Sequence, residues 1–173
     1  MVVSVSTVAK EFNKLACKEG MKFDNRFKLH FLLYLVQGRS LEEQEIPMIN
    51  DLVYAGPNGP FFMVHEINHL MNEFYLDGVA IDPEGLFCTT RTITNDPLVP
   101  HYKNNDNLLD EDFQRIRCIW NDFASYSTKK LKETLTEIGS PWHQTRYNWK
   151  GSLPKFVPID NDLIKDWFKK KDL

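Results

Sequence analysis

The chain has 173 residues, 42% hydrophobic and 13% aromatic with twelve Phe, enough apolar side chain to bury one sizeable core and too much for disorder over most of its length. Lys and Arg number 21 against 24 acidic residues, a formal net charge of −3 with the basic residues spread along the chain, so charge alone does not mark a nucleic-acid binder. Cys17, Cys88 and Cys118 are odd in number, far apart and without a C-x-x-C pair, which argues against a disulfide framework or a structural zinc site and for free buried thiols in a reducing cytosol. The opening MVVSVSTVAKEF has no basic n-region, long apolar run or small-residue cleavage site, and no stretch reaches transmembrane length, so a cytoplasmic protein is expected.

The first predicted helix runs from Thr7 to Glu19: Val8, Phe12, Leu15 and Ala16 recur at helical spacing, Ser6 offers an N-cap and Gly20 a left-handed stop. A second, Asn25 to Gln37, ends at Gly38 and is apolar almost all round, which implies a central helix buried on most sides. Pro47, Gly56, Pro57, Gly59 and Pro60 then punctuate a short β-prone run, Leu52-Val53-Tyr54, read as a strand leading into a tight turn. A third helix is predicted from Phe61 to Leu76, before Asp77-Gly78, followed by a strand over Leu86 to Thr94 and a polar loop from Asn95 to Asn107.

A fourth helix follows Asp110, with Phe113, Ile116, Trp120 and Phe123 on one face and acidic residues in the first turn, where they suit the helix dipole. A fifth starts after Ser127, carries Leu131, Leu135 and Ile138, and stops at Gly139. Ser140-Pro141 supplies the N-cap and N1 residues of a short helix through Trp142 and Arg146. The last helix starts near Asp160, turns Leu163, Ile164, Trp167 and Phe168 inward, and ends in Lys169-Lys170-Lys171. The expected fold is mainly α: a single compact domain over residues 1–173, of about six helices, with a small β element between helices 2 and 4.

One string looks catalytic. His65-Glu66-Ile67-Asn68-His69 matches H-E-x-x-H, which sets two imidazoles on one helical face beside a general base, as a zinc hydrolase requires. At about 100° per residue, however, Val64, Ile67, Leu70, Met71 and Phe74 share one side and His65 and His69 fall roughly opposite, beside Asn72 and Glu73, facing solvent. A third ligand is also needed; Asn72 stands where a metzincin has Gly, and His101, Glu84 or Glu111 would serve only by chance folding. A solvated helix face is therefore the stronger reading, with no metal or cofactor, and a zinc site at His65 and His69 is the alternative.

No nucleophile-elbow, Walker-type or dinucleotide-binding string occurs, and Cys17 and Cys118 lie on or near the apolar faces of their helices, which suits packing better than nucleophilic work. Trp142, Arg146, Tyr147 and Trp149 form an aromatic and basic cluster of the composition found at interface hot spots. Core packing is favoured for Trp142, while Tyr147 and Trp149 sit in a looser segment. The candidate partner-binding residues are Tyr54, Arg146, Tyr147 and Trp149.

Four stretches, in this order, resemble the Panacea domain family. Leu29 to Gly38 is similar to its L-Q-K-L-L-Y-x-x-Q-G helix, with His30 and Phe31 in place of Gln-Lys, and Tyr54-Ala55-Gly56-Pro57 to its Y-G-P turn with an added Ala55. Leu135-Thr136-Glu137, Ser140-Pro141-Trp142 and Arg146 resemble its L-T-H…P-W…A-R stretch, with Glu137 for His and Thr145 for Ala. Ile159 to Phe168 resembles its terminal helix. The resemblance implies a mostly helical, phage-associated antitoxin that binds a cognate protein toxin by direct contact, in one type as an adaptor to a protease, without catalysis. The net charge weighs against nucleic acid as the partner.

Overall fold

The computed structural model describes residues 2–21, 23, 26–63 and 108–171. Helix α1 spans Val5–Lys18 and begins two residues before the expected start, because Ser4 and not Ser6 is the N-cap. The Ser4 hydroxyl accepts from Thr7 N–H at 3.3 Å, and the Asp51 carboxylate, distant in sequence, accepts from Val5 N–H at 2.9 Å, so the first turn finds its acceptors earlier. Its end is as expected: Gly20 takes φ 64°, with Met21 N–H on Ala16 O and Gly20 N–H on Cys17 O.

Helix α2, Arg26–Gln44, runs through Gly38 instead of stopping there. A Cβ on Gly38 would lie 2.1 Å from the Phe168 ring, so this glycine is a notch for an aromatic side chain and not a terminator. Its helical penalty of about 1 kcal/mol is offset by the burial of Phe168, which also meets Tyr34 edge-on at 5.8 Å. The left-handed stop falls instead at Glu45, φ 58°. As expected of a central helix, every residue from Lys28 to Gly38 is buried.

The chain then forms an antiparallel hairpin, β1 (Val53–Gly56) and β2 (Gly59–Phe62), with Val53 opposite Phe62 and Gly56 opposite Gly59. Phe61 and Phe62 thus belong to a strand and not to a helix. Pro60 pairs opposite Ala55, and Gly59, at φ 129°, lets Phe31 come within 2.8 Å of where a Cβ would stand, so the turn closes tightly enough to carry both phenylalanines back along β1. The remainder of the predicted 61–76 helix, the 86–94 strand and the 95–107 loop lie outside the described residues, as does Cys88.

Helix α3 (Asp110–Phe123) opens on three acidic residues, and the Asp112 carboxylate accepts from Leu109 N–H at 3.1 Å. Helix α4 (Thr128–Leu135) has the expected Ser127 cap but ends before Ile138, since the Thr136 hydroxyl donates to Lys132 O at 2.7 Å and closes the last turn. Ile138 consequently stands 89% exposed. Helix α5 (Pro141–Tyr147) is capped by Ser140 with Pro141 in the first turn. A two-residue strand, β3 (Val157–Pro158), joins β1 on its other side, giving the order β2-β1-β3, and helix α6 (Asn161–Lys171) closes the described chain.

Helix α2 is the hub: α1, α3, α4, α6 and β2 all pack on it. Several polar groups inside this core are anchored to backbone or to each other, whereas the buried Asn13 amide, the Tyr34 hydroxyl and Trp120 Nε1 have no hydrogen-bond partner among the described residues. Gln37 bonds both peptide groups of Ile49, accepting its N–H at 2.8 Å and donating to its C=O at 3.2 Å, while Val3 brackets the same segment through Met48 O and Asn50 N–H. Lys28 donates to Ala124 O at 2.7 Å, and buried Arg115 bridges Asp112 at 3.2 Å and Glu43 at 3.0 Å. The thiols depart from expectation: Cys17 is half-buried and Cys118 exposed, because the inward stripe of α3 is Arg115, Ile116, Ile119, Trp120 and Phe123 and leaves Cys118 on the outer side. The fold is mainly α with a small β element.

Candidate partner-binding surface

The aromatic and basic cluster is built at the corner where α5 crosses the end of β1. Pro at the first helical position and a Ser cap start α5 sharply after Gly139, whose φ of 88° turns the chain. Residues four apart share a helix face, and α5 sorts its side chains accordingly. Trp142 and Arg146 face the sheet: Trp142 Nε1 donates to Gly56 O at 2.7 Å, and Arg146 Nη1 donates to Ala55 O at 3.0 Å and to Lys155 O at 3.3 Å. The guanidinium also lies 5.7 Å over the Trp142 ring.

One residue further round, His143 and Tyr147 form a second pair, stacked at 5.0 Å with planes 13° apart, and Tyr147 is 79% exposed. His143 Nδ1 accepts from Gly139 N–H, which holds the ring over the helix start. Beyond the helix, Trp149 is 43% exposed and its Nε1 donates to Ser152 O at 3.2 Å, fixing the indole against its own loop. Lys155 lies 5.4 Å over Phe156, which in turn stacks on Phe61 at 5.6 Å.

Of the four candidate contact residues, Tyr147 and Trp149 are displayed together at this corner. Arg146 reaches it but turns its charge onto backbone carbonyls. Tyr54, half-buried in β1, is set across the sheet from Phe61 and Pro158, next to the Ala55 carbonyl that Arg146 grips. Trp142 is half-buried and packs on the core, close to its expected scaffold role. Ile138 was missed as a surface residue because its spacing continues the α4 stripe, and His143 because nothing local announces its stack.

Among the described residues, the outer side of β2 has no amide hydrogen to give to a further strand. In β2 the residues pointing away from β1 are Pro60, which has no N–H, and Phe62, whose N–H donates to buried His30 Nδ1 at 3.4 Å.

His65, Glu66 and His69 lie outside the described residues, as do Glu84 and His101; Glu111 is exposed and accepts from Gln44 Nε2. Among the described residues no group of His, Cys, Asp or Glu is placed to hold a metal ion. Burial pushes the Tyr34 phenol well above its ordinary value, and the ring serves packing against Phe168. Among the described residues, no helix is long and apolar enough to cross a membrane.

The architecture is that of a mainly helical protein with one small antiparallel sheet at its corner. The family model described as antitoxin SocA-like, Panacea domain, matches residues 29–143, more than half of the chain and the whole run from α2 into α5, and the chain belongs to that family. Arg146 and the Ile159 to Phe168 stretch fall beyond the matched range. No curated protein and no solved structure matches the chain.

Proposed function

We propose that this chain is an antitoxin-type protein, a single Panacea domain over residues 1–173, that neutralises a cognate protein toxin by direct contact in the cytoplasm and performs no catalysis. Family membership supports the class. A single domain accords with the packing of five elements on α2. The observation that carries the contact reading is the division of labour on α5, where Trp142 and Arg146 are bonded to the sheet while Tyr147 stands 79% exposed beside a fixed Trp149. Large rings held rigid at a surface lose little freedom on binding, which is what makes them effective anchors.

The test is co-expression with the product of the adjoining reading frame in a phage or prophage locus. Growth arrest relieved by the wild-type chain and not by a Tyr147→Ala, Trp149→Ala double variant of unchanged melting temperature is the expected result. Arrest that the wild type fails to relieve, or relief that persists in the double variant, overturns respectively the function or its placement. Comparing toxin levels in cells with and without their energy-dependent proteases separates simple occlusion from delivery to a protease.

A further inference from the structure

From Ile138 to Ile159 the chain carries no acidic side chain, although the whole protein is net −3, so its acidic excess lies entirely elsewhere. The same stretch holds Arg146, Lys150 and Lys155 and builds the corner just described. None of these three cations makes an ion pair with a carboxylate among the described residues. On the neighbouring α6, by contrast, Lys165, Lys169 and Lys171 face Asp162, Glu45 and Glu137. Arg146 is committed to the Ala55 and Lys155 carbonyls, whereas Lys150 and Lys155 are exposed and neither is paired with a carboxylate among the described residues, Lys155 meeting only the face of Phe156.

We infer that this corner docks an acidic, partly apolar face of a partner protein, with Lys150 and Lys155 supplying the charge and Ile138, Tyr147 and Trp149 the apolar contact. The inference rests on the reading of the chain as a protein-binding antitoxin and specifies the toxin face it takes. A surface of one sign steers and orients a partner of the other sign, and the exposed rings of the same stretch supply apolar area to bury. A protein fits better than nucleic acid because the donors suited to a phosphate are already engaged: Arg146 grips two carbonyls and Trp149 Nε1 bonds Ser152 O. What the corner displays is ring faces and two flexible ammonium groups, a sparse counterpart to a phosphate backbone.

The experiment titrates the full chain with a synthetic amphipathic helix of Glu and Leu, with the same helix carrying Lys for Glu, and with a DNA duplex, following backbone amide resonances. Binding of the Glu helix is expected to shift resonances within 138–156 and to weaken by about tenfold or more in K150E/K155E and at high ionic strength. No response, equal response to the Lys helix, or a duplex bound in a manner that K150E/K155E abolishes overturns the inference, the last in favour of nucleic acid. Unchanged melting of K150E/K155E excludes misfolding. If the wild type and K150E/K155E relieve toxicity equally well, the charge inference fails while the antitoxin function stands. A Glu helix bound as expected by a chain that relieves no toxicity leaves the surface assignment in place and removes the function.

Discussion

Two regions spend aromatic side chains in opposite ways. In the seam between α2 and α6, Tyr34 and Phe168 are fully buried and a glycine is cut away to admit the second ring. At the α5 corner, Trp142 is half-buried, Trp149 less so and Tyr147 almost free, yet each has a definite fixing contact: a carbonyl for Trp142 and Trp149, an imidazole for Tyr147. Aromatic content by itself therefore says little about role. A ring with apolar neighbours on all sides holds the fold, and a ring pinned at one edge with a face left open is the kind that the proposed contact uses.

The contrast can be broken at its strongest point first. Phe168→Ala is expected to cost about 3–5 kcal/mol in urea-denaturation midpoints, since it empties the notch at Gly38 and removes the partner of Tyr34. Trp142→Ala would cost as much if the ring were fully buried; half-burial and loss of one bond to Gly56 O reduce the expectation to about 2–3 kcal/mol, with contact at the corner lost as well. Gly38→Ala pushes a methyl into the Phe168 ring and is expected to destabilise by about 1–3 kcal/mol, against the gain a helix-favouring Ala gives at an open site.

A smaller effect sharpens the comparison on the polar side. Glu45 is held below its ordinary pKa of 4.5, chiefly by its hydrogen bond to Lys169 and then by the charges of Lys169 and Lys165. A depressed folded-state pKa adds stability that is present above the unfolded value and lost as pH falls through the folded one, so the acid limb of the stability profile should be shallower in Glu45→Gln. Smallest of all in stability is Tyr147→Ala, expected within about 0.5 kcal/mol of wild type by thermal melting while weakening toxin neutralisation, the reverse of Phe168→Ala in what it spares.

Much of the helical framework was legible because its signals are local. Ser140-Pro141 sets the start of α5, the acids at 110–112 mark the start of α3, and Ile164, Trp167 and Phe168 fall inward on α6 as their spacing implies. The family, too, was readable from the order of its motifs across α2, the hairpin and α5. What could not be read depends on residues far apart. Gly38 looks like a helix stop until Phe168 arrives from the far end of the chain, and Ser4 displaces Ser6 as a cap because Asp51 comes to meet Val5. Phe61-Phe62 resembles a helix start until Pro60 is seen paired with Ala55. At the corner, Tyr147 and Trp149 were chosen for composition, but that Arg146 would be turned inward is known only from the positions of Ala55 and Lys155.

The pairing of His30 with Phe62, together with the imide nitrogen of Pro60, leaves the outer rim of the hairpin without a spare amide hydrogen. At high local concentration the chance rises that like segments of neighbouring copies zip together edge to edge. A rim that can accept but not donate offers a second copy only half of a ladder, which weakens one common route to fibrils and favours copies that stay apart.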